Sequence, residues 1–278
     1  MAQTAQTDQT VLDIDFTLSN RLFRISAAGL NAPAYEMPAT YWLEPNKALE
    51  ALKVGGVMSK AIGLKLPVSY AGLSVINLVI AQLLFLARYD HWLDLPLDHL
   101  TFQMEEKHGY MQTGYRIHTL SRLDLPRRDD QRKTILEHKW RQFIQRHVRP
   151  AVEAIANAAG HKPDMIWNQA GGRLAAIRDY VRKNETAADD DFLERFDWHA
   201  DILSRGLAPS DFARKRNPFC WLPRYTDNPW QPGGYMIIRS SCCMFDCRQG
   251  GQKCYNCPRL TKEERDIRRA AVLADAAT

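Results

Sequence analysis

AGLSVINLVIAQLLFLA, residues 71–87, is a nearly uninterrupted apolar stretch in a chain of 278 residues. Its apolar side chains would surround a helix that begins near Pro67, which predicts an element buried in a protein core. A membrane-spanning helix needs about 20 consecutive apolar residues, whereas Ser74, Asn77 and Gln82 interrupt this stretch. We therefore expect a core helix, with peripheral membrane contact at most.

The sequence on both sides of this helix predicts further helices and a small amount of β-structure. Residues 46–61 predict a short helix that breaks at its two adjacent glycines, and the apolar spacing over 130–159 predicts a longer helix. Pro150 should kink that longer helix or divide it in two. Residues 99–121 alternate apolar and polar side chains around two glycines, which predicts a β-hairpin. The predicted fold class is α+β, mainly α: a helical body with a small β-hairpin or sheet.

The C-terminal part of the chain differs from this body in composition. It is rich in Pro, Gly, Arg, Trp and Cys, and only residues 235–239 have the pattern of a strand. A final helix is predicted after Thr261, whose side chain would cap it. We therefore divide the chain into a polar, disordered leader at 1–10, a mainly helical body at 11–209 and a short cysteine-rich C-terminal lobe at 210–278.

The net charge of +5 is concentrated in this lobe, because residues 214–269 contain twelve Lys and Arg against five Asp and Glu. A basic surface attracts an anionic ligand, an acidic protein, nucleic acid or a membrane, and charge alone does not choose among them. The first ten residues, MAQTAQTDQT, lack the basic and apolar regions of a secretory signal. We expect a cytoplasmic protein, at most loosely associated with the inner membrane.

All six cysteines lie in the C-terminal lobe, five of them in CCMFDCRQGGQKCYNC at 242–257. In a reducing compartment such clustered cysteines indicate metal binding or redox chemistry rather than disulfides. Cys254 and Cys257 form C-x-x-C, which lets two thiolates from one turn reach one metal ion. Cys242 and Cys243 are adjacent and converge only where the backbone bends. An adjacent pair is unusual for a zinc ribbon, but soft thiolates suit zinc, copper(I) and iron–sulfur clusters alike.

The order of these cysteines, C-C-x10-C-x2-C, resembles the C-terminal signature of the FhuF-type ferric-siderophore reductases. Arg239 before the cysteine pair, Asn217-Pro218 upstream and the predicted helix around Ile166-Trp167 are similar to features of that family, and the hairpin also has a counterpart there. The resemblance is specific over residues 163–258. It implies a [2Fe–2S] cluster with four cysteine ligands: Cys242, Cys243, Cys254 and Cys257.

The resemblance also implies a function, the one-electron reduction of siderophore-bound Fe(III) to Fe(II), which releases iron in the cytoplasm. The body at 11–209 would bind the siderophore, and no catalytic side chain beyond the cluster ligands is implied. Hydroxamate complexes are the family's usual substrates, although citrate-type complexes would also suit a basic groove. No dinucleotide or flavin motif is visible, so we expect an external electron donor, such as a ferredoxin-like carrier or an NAD(P)H-dependent reductase. No nucleic-acid partner is expected.

Other residues of the lobe are candidates for secondary roles. Cys247, inside the spacer, is an alternate ligand, and Cys220 is expected to be an inert core thiol. Six side chains are candidates for offsetting the charge of the cluster, shielding it or contacting the substrate: Arg239, Arg248, Lys253, Arg259, Trp221 and Trp230. Five aromatic residues of the body are candidates for lining a siderophore site, although no spacing argument selects them: Trp92, Tyr110, Tyr115, Trp140 and Trp167.

Two other functions fit the composition of the lobe. One is a zinc-stabilised basic module that binds nucleic acid or a protein partner. The other is a sensor whose [2Fe–2S] cluster reports iron or oxygen and catalyses nothing. A zinc protein would be colourless, and a sensor would be coloured without accelerating siderophore reduction. No helix-turn-helix pattern is apparent, which weakens both alternatives.

Overall fold

The structure is a computed structural model that describes residues 14–126, 129–184 and 190–275. The leader predicted at residues 1–10 lies outside the described residues. Over the described residues the chain is an α+β protein that is mainly α, which confirms the predicted fold class. Helices surround one large hydrophobic core, small sheets lie beside it, and the cysteines cluster near the C-terminus.

The helices of the body are listed here with their bounds: α1 (Thr17–Phe23), α2 (Pro45–Met58), α3 (Lys65–Tyr89), α4 (Asp129–Phe143), α5 (Arg149–Ala158), α6 (Asp164–Trp167), α7 (Ala170–Asn184) and α8 (Asp190–Asp201). The lobe contributes α9 (Lys262–Asp275). Short 3-10 turns occur at Ala39–Leu43, Leu97–His99, Pro209–Phe212 and Phe245–Cys247, and π-helical turns at Ile144–Val148 and Ile202–Gly206.

The strands are short and form three separate sheets within the described part of the chain. Their bounds are β1 (Ile25–Ser26), β2 (Tyr35–Pro38), β3 (His91–Asp94), β4 (Leu100–Lys107), β5 (Tyr110–Ile117), β6 (Ser121–Asp124), β7 (Arg224–Asp227) and β8 (Tyr235–Ile238). The largest sheet has the order β1-β5-β4-β2, and β1 is parallel to β5 while the other neighbours are antiparallel. Two antiparallel pairs, β3-β6 and β7-β8, complete the β-structure.

Helix α3 is the central element of the core, as its apolar sequence predicts. It is long and apolar enough to cross a membrane, yet 89% of its most apolar window is buried inside the protein. Two of its polar residues find partners there: the Ser74 hydroxyl donates to the Ala71 carbonyl at 2.7 Å, and the Asn77 side-chain oxygen accepts a hydrogen bond from Arg173. Gln82 is fully buried, and neither polar atom of its side chain has a hydrogen-bond partner among the described residues. Hydrogen-bonded polar groups cost little on burial, whereas Gln82 carries a desolvation cost that the surrounding apolar burial offsets.

The β-hairpin predicted at 99–121 is confirmed and is tighter than its sequence suggests. Strands β4 and β5 are joined by His108 and Gly109, whose φ angles of 53° and 76° suit a two-residue hairpin turn. The prediction that Pro150 divides a long helix is also confirmed. The π-helical turn Ile144–Val148 separates α4 from α5, and Pro150 lies in the first turn of α5, where its missing N–H is tolerated.

The predicted break in the helix at 46–61 is wrong. Helix α2 runs without interruption through Gly55 and Gly56. A Cβ at Gly55 would lie 3.3 Å from the sulfur atoms of both Met104 and Met111. The glycine therefore allows α2 to approach the β4-β5 hairpin closely, and packing against the sheet outweighs its low helix propensity.

Four of the five aromatic residues proposed to line a siderophore site belong instead to the core. Trp92, Tyr115, Trp140 and Trp167 are each at most 2% exposed, and Trp92 packs edge-on against Trp140 with ring centroids 4.9 Å apart. Their large apolar surfaces stabilise the body by burial, which places them out of reach of a ligand. Tyr110, at the start of β5, is 52% exposed.

Candidate metal centre

Strand β8 leads the chain towards the cysteines, and a pair of glycines in α7 determines where the chain passes. The Ser240 hydroxyl accepts a hydrogen bond from the Gly172 N–H at 3.0 Å and donates one to the Asn168 carbonyl at 2.6 Å. A Cβ on Gly172 would lie 2.7 Å from the Ser240 nitrogen, and one on Gly171 would overlap the Cβ of Trp221. The absence of both side chains therefore lets the lobe lie against the start of α7.

The spacer between the two cysteine pairs is held by two parts of the body. The Ile62 N–H donates to the Cys247 carbonyl at 2.7 Å, in the connection between α2 and α3. At the tip of the β4-β5 hairpin, Tyr110 stacks on Phe245 with centroids 6.1 Å apart, and the Arg248 guanidinium lies 5.1 and 5.2 Å from these two rings. The spacer is thus fixed by backbone hydrogen bonds and by cation–π contacts.

A bend follows the adjacent cysteines, as their convergence requires. Met244 has a φ angle of 59°, and its N–H donates to the Cys242 Sγ at 3.4 Å. The Cys243 and Cys254 sulfurs lie 3.8 Å apart, and the Cys242 and Cys257 sulfurs 3.9 Å apart. Two thiolates bound tetrahedrally to one metal ion at about 2.3 Å are themselves about 3.8 Å apart. Each pair therefore has the spacing of two ligands on one ion.

The four sulfurs form two pairs and not one four-fold cage. In residues 14–126, 129–184 and 190–275, no three or more His, Cys, Asp or Glu side chains form a group that could hold a metal ion. Cys247 takes no part in the sulfur contacts found over these ranges, and its described bonds are those of its backbone. Its assignment as an alternate ligand stays a prediction.

The sulfur pairs are partly buried and electrostatically unequal. A hydrogen bond from the Cys254 thiol lowers the pKa of Cys243 to about 6, with the charge of Arg239 contributing, and the same bond raises the pKa of Cys254. Burial raises the pKa of Cys242, although the Met244 N–H and Arg259 oppose that effect. One thiolate of the first pair is thus favoured near neutral pH.

Among the six candidate secondary residues, Arg259 and Arg239 have the closest relation to the sulfurs. The Arg259 Nη1 lies 3.5 Å from the Cys242 Sγ and 3.0 Å from the Asp246 carboxylate. The backbone N–H of Arg239 donates to the Asn256 carbonyl at 3.0 Å. Both guanidinium groups supply positive charge where thiolates would concentrate negative charge.

The other four candidates have different surroundings. Lys253 pairs with Glu264 at 2.8 Å, and Glu264 also completes a capping box with Thr261, which confirms the predicted cap of α9. Arg248 covers aromatic rings, as described above. Trp230 is 61% exposed and packs edge-on against Tyr255 at 5.7 Å, while Trp221 lies against α7.

The prediction that Cys220 is a buried core thiol is wrong, because its side chain is exposed. The Asn217 side chain donates to the carbonyls of Leu203 and Leu207 at 2.9 and 3.3 Å, and its oxygen accepts the Phe219 N–H at 2.9 Å. These bonds bury Asn217 and Phe219 in the body and turn the chain outward at the next residue. The boundary drawn at 209 thus precedes residues that pack in the main core.

Sequence analysis missed several residues beside the sulfurs. Asp246 and Met244 carry no motif signal, since the local bend after the cysteine pair, and not their residue type, brings them to the Cys242 sulfur. Tyr70, on the first turns of α3, is also near: burial chiefly raises its pKa to about 12, and negative charge on Cys243 contributes. A tyrosine in an apolar helix gives no indication of such a neighbour.

A comparison with known proteins identifies the family to which the chain belongs. Residues 77–228, more than half of the chain, match the family model described as ferric iron reductase FhuF-like transporter. This segment runs from α3 to the end of β7 and stops before the cysteine pairs. A search of curated proteins found no match. Because the match covers more than half of the chain, the protein belongs to the FhuF-like ferric iron reductase family.

Proposed function

We propose that this protein reduces siderophore-bound Fe(III) to Fe(II) in the cytoplasm, through a [2Fe–2S] cluster held by four cysteines. Membership in a ferric iron reductase family supports redox chemistry on ferric iron. The main observation in support of a cluster held by four cysteines is the pairing of their sulfurs at 3.8 and 3.9 Å. The proposed ligands are Cys242, Cys243, Cys254 and Cys257.

The pairing also supports a proposed division of the ligands between the two irons. Cys243 and Cys254 would bind one iron, and Cys242 and Cys257 the other, because a [2Fe–2S] cluster needs two thiolates on each iron. A closed zinc site needs four ligands around a single ion. The two-by-two arrangement therefore favours the cluster over the zinc-stabilised module.

When bound, the cluster would supply the one-electron chemistry that a ferric substrate needs. The chain's own residues shield the site and offset its charge. Cys242 and Cys257 pack with Leu260 in a small buried cluster, which restricts water on that side. Arg259 and Arg239 offset the negative charge of the thiolates, which favours acceptance of an electron.

The electron balance involves two partners outside the chain. A one-electron donor, ferredoxin-like or an NAD(P)H-dependent reductase, loses one electron, and the siderophore-bound Fe(III) gains it. Fe(II) binds the hard oxygen ligands of a siderophore far more weakly than Fe(III), so iron then leaves the complex. Any membrane contact would be peripheral.

The first experiment is the visible spectrum of the anaerobically purified protein before and after dithionite, with iron, zinc and sulfide assayed on the same sample. We expect a red-brown protein that bleaches on reduction and contains about two irons and two sulfides per chain. Adding a ferric siderophore to the reduced protein should restore the colour and produce Fe(II), trapped by a ferrous chelator. A colourless protein with about one zinc would overturn the proposal. A coloured protein that does not accelerate reduction would favour the sensor.

Two matched variants test the ligand set. Cys257→Ser should lose the colour and about half of the iron or more, because it removes one of the two thiolates proposed for one iron. Cys247→Ser should keep both. If Cys247→Ser loses the colour while Cys243→Ser retains it, the ligand set must include Cys247 in place of Cys243.

A further inference from the structure

A cavity of about 330 Å³ lies between α7 and β8, on the side of the lobe that faces the body. Its lining includes Ser241 and Asn256, the residues directly before Cys242 and Cys257. Consecutive Cα atoms are about 3.8 Å apart, so this groove begins one residue from two of the proposed cluster ligands. A molecule bound there would lie beside the centre that delivers the electron.

The charges that line this groove are mostly positive. Arg173, Lys183 and Arg239 line it together with a single carboxylate, that of Asp179. Over the described residues, no ion pair involves any of these three cations. The groove therefore has a surplus of positive charge that the protein itself does not neutralise.

Arg173 shows most clearly that a counter-charge is missing. Its guanidinium donates to the Asn77 side-chain oxygen at 2.9 Å and to the Leu22 carbonyl at 3.2 Å, both uncharged acceptors. Burial disfavours the charged form of Arg173 and lowers its pKa to about 10. The group is still charged at neutral pH, so an anion in the groove would stabilise it.

We propose that this groove binds an anionic, carboxylate-bearing ferric chelate and discriminates against neutral trihydroxamate complexes. The proposal rests on the function proposed above, because it identifies the substrate site of that reaction. Three hydroxamate anions cancel the charge of Fe(III), and such a complex gains little from three cations. Citrate-type chelates retain excess carboxylates, which guanidinium and ammonium groups bind with charge-assisted hydrogen bonds.

The test is equilibrium binding of redox-inert gallium(III) complexes to the oxidised, full-length protein. Gallium(III) citrate in excess citrate is compared with the gallium(III) complex of ferrichrome, a neutral trihydroxamate, and with citrate alone. We expect gallium citrate to bind at least tenfold more tightly than either. Equal or tighter binding of the ferrichrome complex would overturn the proposal, as would equal binding of metal-free citrate.

Charge-removing variants locate the site. Lys183→Gln is the deciding variant, because Lys183 lies on exposed α7 surface and has no described contact with the cysteines. It should weaken gallium citrate binding about threefold to tenfold, as the loss of one ion pair would. Arg239→Gln should weaken this binding by a similar factor.

The matched control is Lys53→Gln, on the exposed surface of α2 and outside the groove. It makes the same charge change and should bind gallium citrate as the wild type does. Equal losses in Lys53→Gln and Lys183→Gln would overturn the site.

This experiment separates the two proposals because gallium(III) accepts no electron. Groove-dependent binding by a protein that reduces neither ferric citrate nor a ferric trihydroxamate would support the site and overturn the reductase function. Ferric reduction that Lys183→Gln leaves unchanged in KM would support the function and overturn the site.

Discussion

Helix α3 and the cysteine lobe are stabilised by different means. Twenty of the 25 residues of α3 are buried, and they contact most of the body. In the described part of the lobe, the separate buried cluster consists of Cys242, Cys257 and Leu260. Burial of apolar surface stabilises a fold by about 25 cal/mol per Å², so the body has a large source of stability that the lobe lacks. Two of the three residues in this buried cluster are proposed ligands, so we expect the order of the lobe to depend on their being ligated.

The cysteine segment is joined to the body by hydrogen bonds and by contacts at the surface. Ser240 bonds to the start of α7, Cys247 and Gln249 bond to the connection before α3, and Phe245 and Arg248 contact Tyr110 at the hairpin tip. A region with little apolar burial of its own can open without unfolding its neighbour.

The largest effect is expected from removing a proposed ligand. Cys257→Ser should release the proposed cluster, and limited proteolysis should then cut the segment 220–275 at least tenfold faster. The melting temperature of the body should change by less than about 3 °C, because its core is untouched. Cys220→Ser, at an exposed cysteine outside the sulfur pairs, is the control and should behave as the wild type does. Unchanged proteolysis of the lobe, or unfolding of the whole chain, would contradict the inference that lobe and body are stabilised separately.

A smaller effect, the pH dependence of stability caused by His199, should be confined to the body. His199 on α8 is 0% exposed, neither ring nitrogen has a hydrogen-bond partner among the described residues, and burial lowers its pKa to about 3. The unfolded chain binds a proton near pH 6.5, so stability is complete above that pH and falls as the pH decreases towards 3. The loss is up to about 1.4 kcal/mol per pH unit.

The measurement for His199 is urea unfolding at pH 7.5 and pH 5.0. Between these values the wild type should lose about 2 kcal/mol more than His199→Leu, which has no imidazole to protonate. Proteolysis of the lobe should not follow this pH dependence if the two regions are stabilised separately. An identical pH dependence in wild type and variant would show that His199 is not the group responsible.

The smallest effect concerns the chemistry of the lobe alone. Arg259→Gln removes a positive charge 3.5 Å from the Cys242 sulfur, so it should lower the midpoint potential of the proposed cluster. Because the Arg259 side chain is 49% exposed and solvent screens it, we expect a shift on the order of tens of millivolts. Arg248→Gln, whose guanidinium covers the rings of Tyr110 and Phe245, is the matched control. A redox titration in which both variants shift equally would contradict a specific role for Arg259.

Much of the fold could be predicted from the sequence because its signals are local. The apolar run of α3, the alternation of β4 and β5 and the cap at Thr261 each depend on neighbours within a few residues. The four-residue strand β8 could be predicted from its apolar run, but β1 and β7 could not, since they are too short or too polar to show an alternating pattern. The predicted break at Gly55 is wrong because packing of α2 on the hairpin outweighs the low helix propensity of glycine.

For the candidate site, the sequence by itself determined the chemistry available: which cysteines occur, at which spacing, and in how basic a segment. Only the tertiary structure decided which sulfurs pair, which cations stand beside them, and that a groove lies between α7 and β8. The physical reason is that these features join residues far apart in the chain, as Gly172 and Ser240 are. Such contacts depend on how the elements pack, and no local pattern of side chains specifies that packing in advance.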